Sequence, residues 1–414
     1  MLAHNESPTN PSRVFVTGMG LISPMGKSLN EHISSMRAGH THFKEVDFFD
    51  VSRQRVKTAG IVDIPNQLGN HQLDDKYLER LDRGCKMMLF ATGQALEQAQ
   101  LSKVPESTPM VIGTSAGAMP LGEAYYRAAT STPIYRTSQL SRIEYYQPQK
   151  GMAMIQQAFG FQSPCQIISN ACASGANAIG HAYQSIKSGR QSMALAGGYD
   201  GISEMVFSGF NALQALSESG IPRPFDAQRD GLALGEGAAM FVLESEDSMR
   251  SRGATPLAEV TGYGMATDLH HLTQPHPDGK AAIQSMTMAC LDAELQPSEI
   301  QYINSHGTGT PLNDVAEANA ICTWAGKSAQ NIMVSSTKSA MGHTLGGAGA
   351  IESGLCILSL LEQHVPASLN VRSEDPACQF ELIKQARAAE LQHVLTNSFG
   401  FGGCNASLIF SQAS

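Results

Sequence analysis

The sequence lacks a basic block, a long apolar run and any closely spaced pair of cysteines. Its 414 residues contain 28 Lys and Arg against 37 Asp and Glu, which gives a net charge of −9. An acidic chain without a Lys/Arg-rich segment is poorly suited to bind nucleic acid or an anionic membrane surface. A local basic patch could still dock an acidic macromolecular partner.

The eight cysteines form no C-x-x-C pair, and the N-terminus has no apolar stretch of the kind that a signal peptide needs. We therefore expect a reduced, cytoplasmic protein rather than a disulfide framework. Residues 1–12 are polar and contain proline, so we predict a flexible tail. The absence of a run of about 18 apolar residues predicts no membrane span.

Glycine is abundant, with 39 copies, and hydrophobic residues make up 42% of the chain, enough for a large core. Strands repeatedly end in loops rich in Ser, Thr, Gly and His, which is where α/β folds place ligands. The clearest unit is a strand over 165–168, a helix over 174–187 and a strand over 193–196. The later part repeats this style, so we divide the chain into residues 13–262 and 263–414.

One cysteine, Cys172, lies in "SNACASGAN" between the predicted strand and the predicted helix. A thiol is a weak nucleophile at neutral pH, but the unpaired N–H groups at a helix N-terminus favour the thiolate. The small neighbours Ala171, Ala173 and Gly175 leave room for a substrate. A buried structural cysteine is the alternative, and the local sequence leaves both open.

Two histidines lie in similar loops, His306 in "NSHGTGT" and His343 in "KSAMGHTLGGAG". With Cys172 they indicate a Cys–His–His site. Zinc binding by this trio is the rival, disfavoured because structural zinc sites usually draw ligands in close pairs. Lys338 could set the electrostatics beside the histidines, and Glu317 could offset its charge. An exposed lysine and an ordinary helix-surface glutamate are equally open interpretations.

Two further motifs are weaker. The cluster His270, His271 and His276 lacks cysteine and helical spacing, so it predicts a polar loop near the site entrance rather than a metal site. The early "VTGMG" has Ser23 where a dinucleotide loop needs a third glycine, so it predicts a tight turn and no nucleotide cofactor.

Five motifs in order carry a resemblance to a known family: "VTGMGLISPMG", "NACASGANAIG", "RPFDAQRDGLALGEGA", "SHGTGTPLND" with "KSAMGH", and "NSFGFGGCN". Together they resemble the elongating β-ketoacyl-acyl-carrier-protein synthases, most closely the type II branch and its bacterial type II polyketide relatives. The likeness extends from about Arg13 to Phe410. It implies an α/β, thiolase-like, five-layer αβαβα fold of two similar halves, and a dimer.

The resemblance implies a decarboxylative Claisen condensation. Cys172 would take an acyl group from the phosphopantetheine of a carrier protein. His306 and His343 would support loss of CO₂ from malonyl-carrier protein and stabilise the enolate, which would attack the thioester. The backbone N–H groups of Cys172 and Phe401 would form an oxyanion hole.

The remaining roles are also implied by the resemblance. Thr308 and Thr310 would hold the pantetheine arm, and Lys338 and Glu317 would support the histidine pair. Phe401 would be a gate between the acyl and malonyl sites. No cofactor and no metal are implied. A thiolase, a Cys–His hydrolase and a non-catalytic chain-length factor are alternatives, which the second histidine and the retained catalytic set disfavour.

Three positions depart from the family's common pattern. Asn170 and Cys404 stand where threonine is usual, and Cys404 adds a thiol near the gate. Ala116 falls where long-chain members often carry a bulky aliphatic residue, so we expect an acyl pocket open to longer or rigid chains.

The expected partners are an acyl carrier protein and a second subunit, either another copy or a homologous chain-length factor. The carrier protein is acidic. Arg80, Arg83 and Lys86 are spaced three apart on one predicted helix over 77–99, so they are the predicted docking residues. A solvated charged face is the alternative. The pathway, fatty acid or specialised polyketide, is left open.

Overall fold

The computed structural model of the protein describes residues 11–131 and 143–413. Most of the predicted tail, residues 1–10, lies outside the described residues. The fifteen strands in the described part of the chain are β1 (Val14–Ile22), β2 (Phe43–Glu45), β3 (Thr58–Gly60), β4 (Met110–Gly113), β5 (Cys165–Ile168), β6 (Met193–Asp200), β7 (Gly237–Ser245), β8 (Ala258–Thr267), β9 (Tyr302–Asn304), β10 (Met333–Ser335), β11 (His364–Val365), β12 (Glu381–Leu382), β13 (Arg387–Ala388), β14 (His393–Phe399) and β15 (Cys404–Ser411).

Helices alternate with these strands, as the sequence predicts for an α/β protein. They are α1 (Leu29–Ala38), α2 (Asp75–Leu78), α3 (Arg83–Gln98), α4 (Met119–Thr130), α5 (Pro148–Ala158), α6 (Ser174–Lys187), α7 (Glu204–Ala212), α8 (Glu246–Ser251), α9 (Lys280–Asp292), α10 (Pro311–Ala325), α11 (Lys338–Met341) and α12 (Ala348–Glu362). The predicted βαβ unit is β5, α6 and β6.

The main sheet contains two copies of one strand arrangement. Its order is β12-β10-β9-β14-β15-β8-β1-β7-β6-β4-β5. Within each half the first strand lies antiparallel beside the last strand, β1 beside β7 and β8 beside β15. Both halves contain two parallel pairs, β6-β4-β5 and β14-β9-β10, and in the second half β12 adds a third parallel pair beside β10. This repeated topology confirms the prediction of two similar halves.

The two halves meet edge to edge through only three residue pairs, between Val14–Val16 of β1 and Ala258–Val260 of β8. Residue 262, the predicted division, lies inside β8, which also pairs with β15. The halves therefore share one hydrogen-bonded sheet.

Five layers arise because each half packs helices on both faces of its strands. α6 contacts α12 between the two halves of the sheet, α3 covers β1 and β7, and α9 covers β8 and β15. Ile179 of α6 and Leu355 of α12 lie in one core cluster with Val16 of β1 and Leu408 of β15. This arrangement confirms the thiolase-like αβαβα prediction.

The central helix is unusually apolar. Leu345–Glu362 has the length and composition of a membrane-spanning helix, although the sequence analysis found no apolar run of that length. In the structure, 89% of this 18-residue stretch is buried inside the fold. Its burial against both halves of the sheet accounts for its hydropathy, because a helix surrounded by protein on every side needs apolar residues all round.

The chain between residues 77 and 99 does not form the single helix predicted from its pattern. α2 ends at Leu78 and α3 begins after Asp82, whose carboxylate accepts a hydrogen bond from the N–H of Cys85 at 3.0 Å. An aspartate at an N-cap starts a new helix, because it satisfies a backbone donor that the first turn leaves free. Arg80 therefore lies in the turn between the two helices.

Candidate active site

Cys172 lies in a tight turn between β5 and α6. Ala171 has a φ of +56°, a left-handed conformation that few residues with side chains adopt. The Ser174 hydroxyl fixes the turn: it accepts a hydrogen bond from the N–H of Asn170 at 2.9 Å and donates one to the carbonyl of Ala171 at 2.6 Å. The turn thus places the thiol immediately before the N-terminus of α6.

Burial, rather than the helix N-terminus, dominates the acidity of this thiol. Burial raises the pKa of Cys172 to about 11, while the positive charge of Lys338 and a hydrogen bond from the backbone N–H of Phe401 lower it. Burial therefore opposes the thiolate that the helix N-terminus is expected to favour. At neutral pH the side chain is a thiol, because removing it from water penalises the charged form.

The two histidines predicted from distant loops lie beside each other. The ring centroids of His306 and His343 are 5.3 Å apart, and the rings are nearly perpendicular at 84°. Burial and the nearby Lys338 charge lower the pKa of both imidazoles well below its usual value. Both rings are therefore neutral at physiological pH.

Backbone contacts fix the orientation of His343. Its Nδ1 accepts a hydrogen bond from the N–H of Leu345 at 3.1 Å. Because Nδ1 is an acceptor, the proton of the neutral ring lies on Nε2. Its own N–H and C=O pair with the carbonyl of Ala233 at 2.7 Å and the N–H of Gly235 at 2.9 Å. His343 can therefore donate a hydrogen bond through Nε2.

Glu317 holds the loop that carries His306. Its carboxylate accepts hydrogen bonds from the N–H groups of His306 at 2.8 Å and Gly307 at 2.7 Å, and from the amide of Asn397 at 3.2 Å. Nδ1 of His306 is buried and has no hydrogen-bond partner among the residues that the structure describes. Glu317 thus contacts the backbone of the loop rather than the imidazole.

Lys338 pairs with Glu352 and not with Glu317, which corrects the predicted charge partner. Lys338 is 1% exposed, and its ammonium forms a buried ion pair with the Glu352 carboxylate. Burial raises the pKa of Glu352 to about 7, and Lys338 opposes that rise. The sequence signal for Glu352 is a carboxylate inside the largely apolar helix α12, whose other glutamate, Glu362, is its last residue.

A cavity of about 380 Å³ opens beside these groups. Its lining includes Cys172, His306, His343, Thr308, Thr310 and Phe401. The two threonine hydroxyls lie 2.9 Å apart and are hydrogen-bonded to each other. The structure therefore brings six of the predicted site residues to one cavity.

The segment that follows β14 closes one side of this cavity. Phe401 is 42% exposed, and its ring stacks on Phe210 with centroids 6.0 Å apart. A Cβ atom on Gly400 would lie 3.2 Å from the nitrogen of Cys172. Gly402 and Gly403 have φ values of +82° and +84°, which glycine adopts readily. These glycines let the segment approach the Cys172 turn closely.

The histidine-rich loop lies at the cavity, as predicted. His271 is among the lining residues, and the rings of His270 and His276 have centroids 5.1 Å apart. The N–H of Asp268 donates to the carbonyl of Gly403 at 2.8 Å, which ties this loop to the segment after β14. Between residues 11 and 131 and between 143 and 413, His, Cys, Asp and Glu form no group of three suited to a metal ion.

Ala116 is separated from this cavity within the described part of the chain. It follows β4 and packs in a buried cluster that includes Phe207, Leu234 and Leu345. Asn170 and Cys404, the two positions where threonine is usual in the family, lie in the Cys172 turn and at the start of β15. The Asn170 side-chain oxygen is buried without a hydrogen-bond partner among the described residues.

The three predicted docking residues do not share one helix face. Arg83 forms an ion pair with the fully buried Glu236, is 31% exposed, and donates to the carbonyl of Val62 at 2.9 Å. Arg80, in the turn before α3, donates to the Tyr145 hydroxyl at 2.9 Å. The single helix predicted to carry all three residues is therefore wrong, because Arg80 precedes α3, while a carrier-docking role for Arg80, Arg83 and Lys86 stays a prediction.

Family models place this geometry in context. The model described as "Beta-ketoacyl synthase, N-terminal domain" matches residues 11–248, and the model described as "Beta-ketoacyl synthase, C-terminal domain" matches residues 257–372. The chain belongs to the β-ketoacyl synthase family. The predicted family and its condensing-enzyme fold are confirmed.

Individual relatives of this β-ketoacyl synthase span nearly the whole chain. The 3-oxoacyl-(acyl-carrier-protein) synthase 2 of Synechocystis sp. is 34% identical and aligns with 97% of this chain and 98% of the relative. The enzyme of the same name from Staphylococcus aureus is 32% identical, again over 97% and 98% of the two chains.

Solved structures of ketosynthases have the same fold as this chain. The ishigamide ketosynthase/chain length factor gives a TM-score of 0.90 at 30% identity, over 98% of this chain and 100% of that chain. A type II polyketide synthase ketosynthase, solved with its acyl-carrier protein and bound to the hexaketide, gives 0.88 at 27% identity over 98% and 100% of the two chains.

Proposed function

We propose that this β-ketoacyl synthase joins a Cys172-bound acyl group to malonyl-acyl-carrier protein in a decarboxylative Claisen condensation, which yields a 3-oxoacyl-acyl-carrier protein. The observation that carries the proposal is the meeting of one thiol and two neutral imidazoles at a single cavity. This set provides a nucleophile and hydrogen-bond donors but no ionised base, which suits a reaction whose intermediates are oxyanions.

In the first step, the sulfur of Cys172 bonds to the acyl carbonyl carbon and the carbon–sulfur bond to pantetheine breaks. The thiol proton passes to the released pantetheine sulfur, so no free thiolate accumulates. The backbone N–H groups of Cys172 and Phe401 would hold the oxyanion of the tetrahedral intermediate. The hydrogen bond from Phe401 to the thiol places that donor beside the reacting sulfur.

In the second step, the bond from the malonyl α-carbon to its carboxylate breaks, CO₂ leaves, and the electron pair forms an enolate. His343 would donate its Nε2–H to the enolate oxygen, with His306 beside it. The α-carbon then bonds to the Cys172 thioester carbon, the carbon–sulfur bond breaks, and the sulfur regains a proton from solvent. Thr308 and Thr310 would bind the pantetheine arm, and Phe401 would gate access.

Lys338 and Glu317 would act through the histidines. Burial and the charge of Lys338 together keep both imidazoles neutral, and Glu317 holds the His306 loop through two N–H groups. Ala116 would shape the acyl side of the site from outside the cavity. No residue in this scheme requires a metal or a cofactor.

An acyl carrier protein and a second subunit are the proposed partners. The structural neighbours include a ketosynthase with its acyl-carrier protein and, at 28% identity, a Xenorhabdus doucetiae ketosynthase in complex with its chain length factor. We infer a cytoplasmic location, where carrier-protein substrates are made. The second subunit is either another copy of this chain or a homologous factor.

The main alternative is a chain-length factor that shapes a dimer without catalysis. The presence of Cys172, His306, His343 and Lys338 in one connected arrangement favours catalysis. A thiolase would use a second cysteine for proton transfer, and a Cys–His hydrolase would not need His343. Fatty acid and polyketide synthesis use the same chemistry, so the acyl group that the enzyme accepts is what separates them.

The test is intact-mass analysis of the protein with a panel of acyl-carrier proteins, together with CO₂ release from malonyl-carrier protein. We expect a mass increase equal to the acyl group and carrier-dependent CO₂ release. The Cys172→Ala variant should take up no acyl group. Acylation that persists in that variant, or an acyl-enzyme that only hydrolyses, would overturn the proposal.

A further inference from the structure

A buried aspartate that the proposed mechanism does not use lies next to the His343 loop. Asp200 ends β6 and is fully buried. Its Oδ1 accepts hydrogen bonds from the Thr114 hydroxyl at 2.6 Å, the N–H of Ala116 at 2.9 Å and the N–H of Gly117 at 3.1 Å. One carboxylate oxygen thus holds the whole turn that follows β4.

The other oxygen joins this turn to a second loop. Oδ2 accepts hydrogen bonds from the N–H of Ser115 at 3.0 Å, the Ser115 hydroxyl at 2.7 Å and the N–H of Gly346 at 2.6 Å. The Ser115 hydroxyl itself accepts from the N–H of Gly346 at 2.9 Å. Gly346 lies three residues after His343, so the carboxylate connects the β4 turn with the histidine loop.

The connection continues to the imidazole through one residue. Leu345, which precedes Gly346, donates the N–H that sets the tautomer of His343. Leu345 has a φ of +53°, so the backbone at this point is held in a left-handed conformation by its surroundings. A Cβ on Gly346 would lie 2.5 Å from the nitrogen of Ser115, so the two loops touch backbone to backbone.

We propose that Asp200 is a positioning residue for condensation: it fixes the Leu345–Gly346 backbone, and thereby holds His343 with its Nε2–H directed at the reacting group. The inference rests on the proposed function of His343. The hydrogen bonds of Asp200 also join the turn that contains Ala116, on the acyl side of the proposed site, to the loop that contains His343, on the malonyl side.

Asparagine cannot replace this carboxylate. All six contacts that the structure gives Asp200 come from donors. At each carboxylate oxygen two of these donors are backbone N–H groups, which cannot act as acceptors: those of Ala116 and Gly117 at Oδ1, and those of Ser115 and Gly346 at Oδ2. An amide NH₂ at either position would face donors, and a buried donor without an acceptor is costly.

The test uses Asp200→Asn in the full-length protein, with Cys172 acylation and condensation measured separately. We expect condensation and CO₂ release to fall about 10- to 100-fold, the size of loss expected when a catalytic group is misplaced by about 1 Å. Acylation should not fall, because the negative charge of Asp200 raises the pKa of Cys172 and its removal favours the thiolate.

A pH profile distinguishes positioning from an electrostatic role of Asp200. Burial and the charge of Lys338, which hold the pKa of His343 well below its usual value, remain in the variant, so a positioning defect should lower condensation by the same factor at each pH. The charged and titratable groups around His343 are His306, Lys338 and Cys172, with Glu352 paired to Lys338. All of these are unchanged in the variant.

Glu244→Gln is the matched control, because Glu244 is an equally buried carboxylate that binds Arg252 and Thr17 away from the cavity. It should leave the ratio of condensation to acylation unchanged. If Asp200→Asn does not fold, Ser115→Ala removes the hydroxyl bridge and should lower condensation in the same selective way.

The outcomes separate two failures. A wild-type protein that neither takes up acyl groups nor releases CO₂ contradicts the proposed function. An active wild type whose Asp200→Asn and Ser115→Ala variants keep the normal ratio of condensation to acylation contradicts the role of Asp200 alone.

Discussion

At the scale of single residues, the site is governed by burial and by one positive charge. The positive charge of Lys338 lowers the pKa of Cys172, His306 and His343. It therefore favours the thiolate of the cysteine and the neutral form of each imidazole. The carboxylate of Glu352 forms a buried ion pair with the ammonium of Lys338. The pKa values of Cys172, His306 and His343 therefore depend on burial and on a lysine that need not contact the substrate.

The first prediction concerns the thiol alone. Because the pKa of Cys172 is about 11, its thiolate fraction should rise roughly tenfold for each pH unit below that value. Alkylation by iodoacetamide, followed by intact mass, should accelerate from pH 7 to pH 9 without a plateau. Cys172→Ala identifies the signal from the other cysteines. A plateau near pH 7 would show a thiolate activated at rest.

The second prediction compares two isosteric changes to the buried ion pair. Lys338→Met removes a charge that lowers the pKa of Cys172, so alkylation at pH 8 should slow. Glu352→Gln removes a charge that raises this pKa, so alkylation should accelerate. Lys338→Met should also lose about 3–5 kcal/mol of stability, because it leaves a buried carboxylate unpaired. Equal alkylation rates in the two folded variants would contradict this electrostatic account.

At the scale of elements, α1 shows how local sequence and burial combine. Ser28 caps its N-terminus by accepting from the N–H of Glu31 at 3.2 Å, and Gly39 ends it with a φ of +63°. His32 in the first turns is fully buried and contacts the Ser23 hydroxyl and the Ser28 carbonyl. The capping pattern was visible in the sequence, whereas the burial of His32 was not.

The third prediction follows from His32. Burial lowers its pKa to about 4, so the folded protein keeps this ring neutral while the unfolded chain binds a proton below about pH 6.5. Stability should therefore fall as pH drops from about 6.5 to 4, by up to about 3 kcal/mol from this residue.

Urea unfolding across this pH range measures the effect. The difference between pH 7 and pH 4.5 should shrink in His32→Gln and stay unchanged in His181→Gln, whose side chain is exposed on α6. An unchanged pH dependence in His32→Gln would show that other groups account for acid instability.

The elements also show where sequence reasoning succeeds. Loops rich in Ser, Thr, Gly and His at strand ends marked Cys172, His306 and His343, because α/β folds place ligands in such loops. Glu352 and Asp200 carry no such signal, since each lies in an apolar segment and acquires partners only through long-range packing. The break before α3 was missed for a related reason, because apolar periodicity continues across Asp82.

At the scale of the whole molecule, the sheet of the described residues ends on one side at β5, the strand that leads directly to Cys172. Its unpaired edge has half-buried Ile167 and Ile168 and an exposed Gln166. An open edge with apolar residues is a ready surface for pairing with another chain. The second subunit would therefore stabilise the strand that positions the nucleophile.

The fourth prediction tests this edge. Gln166→Asp should lower the dimer fraction and Cys172 acylation together, because a charge at a paired edge must be desolvated. Light scattering coupled to size-exclusion chromatography measures the dimer. Gln379→Asp is the matched control beside β12, at the opposite end of the sheet. Full activity in a monomeric Gln166→Asp variant would show that catalysis does not depend on this edge.

The positions of β1 and β15 in the sheet have a consequence for biosynthesis. β1 and β15 are separated by β8 alone, near the middle of the sheet. β15 must therefore be synthesised before the central part of the sheet can close. Until then β8 and β14 lack a neighbour, and unpaired strands of this kind favour aggregation. Truncation of the C-terminal strand should thus abolish soluble expression, even though every catalytic side chain precedes it.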